Sequence, residues 1–125
     1  DLWQAATGEL IVADYKATAR KETPTTAGLY PSYQRQMEIY QFLVRRQGFE
    51  VSNRSWFVYA NGDARAGEFR GTLRFSTHMI PYDGDDAWVL DAFRRTVATV
   101  GGGSVPEAGE DCKWCRYVGQ AGAAD

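Results

Sequence analysis

A chain of 125 residues is long enough for one domain with a modest core, and 44% hydrophobic with 24% charged residues is the make-up of a folded protein, not a disordered tail. The formal net charge of -2 gives no chain-wide positive field, so a nucleic-acid partner would have to be held by a local site. No apolar run approaches a membrane span and no basic-then-apolar leader opens the chain; the expectation is a soluble, cytoplasmic protein with no membrane partner.

Residues 1–4 read as the end of a strand, 5–8 as a tight connection and 9–16 as the next strand, a hairpin turning at Thr7-Gly8. In the second strand apolar residues run from Leu10 to Ala13 and stop at Asp14-Tyr15-Lys16. That is the pattern of a buried strand that delivers charged groups to a sheet edge or cleft. Residues two apart share a strand face, which sets Asp14 and Lys16 side by side, roughly 6.5 to 7 Å apart along the strand. A carboxylate and an ammonium so placed can serve a metal ion and a water molecule, or form a plain surface ion pair. The hairpin brings Asp1 opposite this end, adding a second carboxylate.

Residues 17–30 show no periodicity and contain Pro24, Gly28 and the basic Arg20 and Lys21, so they read as a long loop beside the charged cluster, of a kind commonly functional or mobile. A helix is expected from Pro31-Ser32 to Gly48, with Ser32 as its N-cap. Tyr33, Met37, Tyr40 and Val44 fall on one helical face, and Arg35, Arg45, Arg46 and Gln47 are polar. Gln36 lies four residues before Tyr40, so the two are neighbours on the helix surface. Packing of the apolar stripe on the sheet turns both toward Asp14 and Lys16.

A third strand is expected at Arg54–Ala60, turned by Asn61-Gly62-Asp63, and a fourth at Thr72–Ile80, whose His78 is read as structural. Asp83-Gly84-Asp85-Asp86 lacks the spacing and terminal Glu of a calcium loop and reads as the cap of a second helix, Asp85–Val100, stopped by Gly101–Gly103. The tail carries Cys112-Lys113-Trp114-Cys115. This spacing suits a metal or redox pair better than a fold-stapling disulfide, but two thiols make half of a four-ligand site. The expected organisation is a core at 1–105 and a Cys-containing tail at 106–125, of class α/β, with a mixed central sheet flanked by helices.

Taken in order, Asp1, the stretch Gly8-Glu9-Leu10-Ile11-Val12-Ala13-Asp14-Tyr15-Lys16, then Gln36-Met37-Glu38-Ile39-Tyr40, and finally Cys112-Lys113-Trp114-Cys115-Arg116-Tyr117 resemble the PD-(D/E)XK nuclease superfamily. Within it they look like the RecB-like branch, which includes nuclease domains of bacterial recombination helicases and CRISPR-associated adaptation nucleases. The resemblance covers nearly the whole chain. It implies a restriction-endonuclease-like core and a metal-dependent DNA nuclease, exonucleolytic on single strands or ends, working in repair, recombination or CRISPR adaptation beside other subunits. By the same resemblance Asp1, Asp14 and the Tyr15 carbonyl would bind Mg²⁺ or Mn²⁺. Lys16 would orient or deprotonate the attacking water and offset phosphate charge, and Gln36 and Tyr40 would position the lysine and the DNA backbone. Hard oxygen donors agree with those ions, which acidify water and neutralise a phosphoryl oxygen.

Two departures stand out. The branch's upstream helix, often the source of a His ligand and part of the DNA channel, is expected to be missing from a chain that starts at Asp1. Iron-sulfur members use one upstream Cys and three near the C-terminal end, so with Cys112 and Cys115 alone a cluster, or zinc, is expected only in a longer protein. The rival reading is a catalytically incomplete nucleic-acid-binding or interaction module that keeps the fold.

Overall fold

The structure, a computed structural model, describes residues 1–63, 67 and 71–122. Strands β1 (Leu2–Gln4) and β2 (Leu10–Thr18) form the hairpin, helix α1 (Pro31–Arg46) follows, then β3 (Arg54–Gly62), β4 (Phe75–Asp83), α2 (Val89–Gly101) and α3 (Lys113–Ala121). The sheet order is β1-β2-β3-β4, with β2 and β3 parallel and the outer pairs antiparallel. A parallel pair needs a crossover, and α1 supplies it. The result is the mixed α/β sheet expected for a restriction-endonuclease-like core. The chain divides into two compact units, residues 1–89 and 90–125, so α3 and nearly all of α2 lie outside the unit that holds the sheet.

Strict alternation in β3 buries Ser55, Phe57 and Tyr59 on one face. That face packs with Met37 of α1, Val12 of β2, Ile80 of β4 and the flanking Leu29 and Val51 to make the core. Cross-strand partners share a face, and the register stacks three rows: Asp14 with Phe57 and Ile80, Lys16 with Tyr59 and His78, then Thr18 with Asn61 and Ser76. The covered face thus passes from apolar to polar within a few residues along the strands.

Several expected boundaries shift. β4 begins at Phe75 and continues through Pro81 to Asp83, beyond the expected Thr72–Ile80. Pro81 is tolerated because β4 pairs with β3 alone and the Pro81 carbonyl, which accepts a hydrogen bond from Thr26 Oγ1 at 3.5 Å, faces away from that partner. Ser32 is not the N-cap of α1: Tyr30 holds that position with no side-chain cap, and Pro31 at the first helical position removes an N–H that would otherwise need a partner. The loop expected at 17–30 is shortened by β2 running to Thr18 and by a 3₁₀ turn at Thr26–Gly28.

The acids at 83–86 do not build an early helix turn. Asp83 is held bidentately by Arg54 at 2.5 and 2.8 Å, Asp86 by Arg45 at 2.6 Å, and Asp85 accepts from the Ala87 N–H at 3.0 Å, so α2 starts only at Val89. The tail, read from sequence without an element, forms α3. Among the described residues no helix is long and apolar enough to cross a membrane.

Candidate active site

β2 places Asp14 and Lys16 on the face that α1 covers. Lys16 Nζ stands 2.5 Å from Asp14 Oδ2, and both side chains are 16% exposed. The same ammonium donates to Gln36 Oε1 at 2.8 Å and lies 4.4 Å from the centre of the Tyr33 ring. Gln36 Nε2 in turn donates to the Tyr40 hydroxyl at 2.8 Å. The four residues expected at this site, Asp14, Lys16, Gln36 and Tyr40, are therefore one connected chain of contacts. The order of donors fixes the Gln36 amide: its oxygen must face the cation, which leaves its nitrogen for the phenol oxygen. Tyr33 closes the remaining side of the ammonium with an aromatic face. Tyr59 is in register with Lys16, and burial pushes its phenol above the ordinary tyrosine range.

Asp1 is exposed and pairs through its backbone with Ala13: its terminal amine donates to the Ala13 carbonyl at 2.8 Å, and the Ala13 N–H donates to the Asp1 carbonyl at 2.9 Å. A cleft of about 440 Å³ is lined by Asp1, Asp14 and Tyr40, with Leu43 and Val44 as its apolar wall. N–H and C=O groups point to opposite sides of a strand at alternate residues. Since those of Ala13 face β1, those of Tyr15 face the same side, past the last paired row.

Asp14 Oδ2 is shielded from solvent and receives no hydrogen bond in good geometry, although the Lys16 ammonium touches it. The ion pair neutralises the charge without filling the directional lone pairs of the oxygen, so acceptor capacity remains at a carboxylate that lines the cleft. The oxygens of Asp1, Asp14 and the Tyr15 carbonyl are the hard donors that Mg²⁺ and Mn²⁺ prefer, and they fit such an ion only as a partial set that water or substrate oxygens complete. Among the described residues no three of His, Cys, Asp and Glu form a metal-binding group.

Two polar residues of α1 were not visible as anchors in the sequence. Glu38 accepts from the Tyr82 hydroxyl at 2.6 Å and from Trp88 Nε1 at 2.7 Å. Burial, and then this carboxylate, push the Tyr82 phenol well above its usual range. Gln41, fully buried, donates to the carbonyls of Ser52 and Asn53 at 3.0 and 2.8 Å. Gln41 lies four residues after Met37 on the apolar stripe, and that spacing is the signal that could have found it. Together these contacts fix α1 over the sheet and so aim Gln36 at Lys16. In the second unit Cys112 and Cys115 are free thiols; the Cys115 N–H donates to Cys112 Sγ at 3.4 Å, making Cys112 the cap of α3. Hydrogen bonding from Cys115 holds the Cys112 thiol below its ordinary value and raises that of Cys115.

A mixed α/β sheet whose second strand carries Asp-x-Lys, followed by a crossover helix that hydrogen-bonds the lysine, defines a nuclease-type core. The chain belongs to the PD-(D/E)XK nuclease superfamily, whose profile matches residues 1–120. No match was found among curated proteins or among solved structures.

Proposed function

We propose that the protein is a metal-dependent DNA nuclease of the RecB-like branch, hydrolysing phosphodiester bonds exonucleolytically on single strands or ends. The observation that carries the reading is the Lys16 ammonium held between Asp14 and Gln36 at the edge of a cleft that Asp1 also lines. Asp1, Asp14 and the Tyr15 carbonyl are the groups that would hold Mg²⁺ or Mn²⁺. When bound, such an ion supplies charge neutralisation at a phosphoryl oxygen and a more acidic water.

The chain's own residues do the rest. Protonated lysine has no lone pair for a metal, so Lys16 acts on the water and on the charge that builds on the phosphate. Gln36 fixes the direction of that ammonium. The Tyr40 hydroxyl, which already accepts from Gln36, keeps its own O–H free to donate to a backbone phosphate oxygen. The test is cleavage of end-labelled single-stranded and duplex DNA with and without Mn²⁺. Ladder-like shortening of single strands that needs the ion and is lost in Lys16→Ala is expected. Binding of DNA with no cleavage under any of these conditions would instead establish the non-catalytic module.

A further inference from the structure

The motif Cys112-Lys113-Trp114-Cys115 takes no part in the acid-lysine site and belongs to the other compact unit. Both cysteines are free thiols, Cys115 exposed and Cys112 half-buried. Cys112 is the N-cap of α3 and Cys115 lies in its first turn. The Cys115 N–H donates to Cys112 Sγ at 3.4 Å, so the first sulfur already reaches the residue that carries the second. Residues three apart on a helix stand about 5–6 Å apart at Cβ, and a disulfide needs about 3.5–4.5 Å. Cys112 has the extended torsions of a cap, φ -70° and ψ 101°, so its own torsions close the difference while α3 stays wound.

The sulfurs are also open to a reagent. Four residues after Cys115 the same helix face carries Gly119, where a side chain would meet only open space, so nothing on the next turn leans over the pair. The two thiols are not equivalent. Hydrogen bonds from Cys115 favour the thiolate of Cys112, whereas the Cys115 thiol, which spends its proton on Cys112, is held in its protonated form. In thiol chemistry the thiolate attacks, and its protonated neighbour resolves. A closed structural metal site takes four ligands, and among the described residues no three of His, Cys, Asp and Glu form a group. A two-electron exchange is complete with two sulfurs.

We propose that Cys112 and Cys115 form a thiol–disulfide exchange site for low-molecular-weight disulfides, with Cys112 as the attacking and Cys115 as the resolving thiol. The site is independent of the nuclease reading. In the first step the Cys112 thiolate attacks one sulfur of a disulfide RSSR; a mixed disulfide forms at Cys112, the S–S bond of RSSR breaks, and RS⁻ leaves and takes up the proton that Cys112 had lost. In the second step Cys115 gives its proton to the departing group while its sulfur attacks Cys112 Sγ, and a second RSH leaves. The chain loses two electrons and two protons, both carried off by the two RSH molecules, and an excess of a dithiol reductant reverses the exchange.

The test is intact-protein mass spectrometry of the full chain, reduced, freed of metal by a chelator and then incubated without air with excess glutathione disulfide. Wild type is expected to lose the mass of two hydrogen atoms and both free thiols, and to regain them on adding dithiothreitol. Cys115→Ser is expected to gain the mass of one glutathione, mapped to Cys112, and to keep it because no resolving thiol remains. Cys112→Ser keeps a good helix cap, since serine serves there as well, and is expected to take up glutathione at Cys115 more slowly than Cys115→Ser does at Cys112. Circular dichroism of each variant checks that the helices are retained. A lasting glutathione adduct on wild type, faster uptake in Cys112→Ser than in Cys115→Ser, or two thiols that stay unmodified would each overturn the proposal. So would zinc or iron bound stoichiometrically to the purified chain and released by either substitution, since both sulfurs would then serve as metal ligands.

Discussion

Two of the polar contacts that helix α1 makes with the rest of its unit are finished to different degrees. At one, the Glu38 carboxylate takes a hydroxyl on one oxygen and an indole N–H on the other, while Gln41 spends its amide hydrogens on two loop carbonyls. At the other, Lys16 is held by Asp14 and Gln36, and Asp14 Oδ2, out of solvent, has the Lys16 ammonium alone against it while its residue lines an open cleft. The neutral Gln41 Oε1 is also unpartnered, yet it abuts Gly84, where any side chain would collide with it, and no ligand has room there. A carboxylate with its partners supplied by the fold is an anchor. A carboxylate left short of donors beside a cleft is a seat for something that arrives.

The largest effect that would sharpen this contrast is on chemistry. Removing the ammonium in Lys16→Ala is expected to lower the cleavage rate by roughly 10²- to 10³-fold or more, the scale for losing one preorganised charge-stabilising donor, with a smaller change in thermal stability than at the anchored contact, because water can reach Asp14 through the cleft that it lines. At the anchored contact the effects fall on stability instead. Glu38→Ala leaves the Tyr82 hydroxyl and Trp88 N–H without an acceptor and is expected to cost about 2 to 3 kcal/mol by denaturant unfolding. Gln41→Leu, which strips donors from the Ser52 and Asn53 carbonyls, is expected to cost about 1 to 3 kcal/mol on the same scale. Stability losses at Lys16 as large as those at Glu38 would erase the distinction between the two contacts.

The smallest effect concerns the exposed Arg54–Asp83 pair. The hydrogen bond from Arg54 holds the Asp83 carboxyl below its ordinary range. A depressed carboxylate stabilises the fold above its unfolded pKa, and that contribution is lost as pH falls through the folded one. The difference in melting temperature between wild type and Asp83→Asn is therefore expected to be slight near neutrality and to vanish at acidic pH. A difference that grew on acidification would show the sign to be wrong.

The acid-lysine end was legible because it rests on local periodicities. A spacing of two along a strand placed Lys16 beside Asp14, and a spacing of four along a helix placed Gln36 beside Tyr40. What escaped depends on partners far away in the chain. Glu38 and Gln41 are polar types that a pattern assigns to water, and their placement against the fold follows from Trp88, Tyr82 and two loop carbonyls. The acids at 83–86 read as a helix cap because the sequence does not announce that Arg45 and Arg54 will claim two of them. The fourth strand, expected at Thr72–Ile80 from its alternation, runs instead from Phe75 to Asp83, and only its place at the edge of the sheet permits Pro81 within it. The pocket lined by Arg20, Lys21 and Arg74 was hidden for the same reason: these residues come to one place only in the folded sheet.

The central claim is that Asp14 seats the ion while Lys16 acts on water and phosphate. It is tested most directly by calorimetric titration of Mn²⁺ into wild type, Lys16→Ala and Asp14→Ala, with a cleavage assay run beside it. The account predicts that Lys16→Ala binds Mn²⁺ no more weakly than wild type, since the ammonium that contacts Asp14 is gone, yet fails to cut DNA, whereas Asp14→Ala loses both. Equal loss of Mn²⁺ binding in the two variants, or full cleavage by Lys16→Ala, would contradict it.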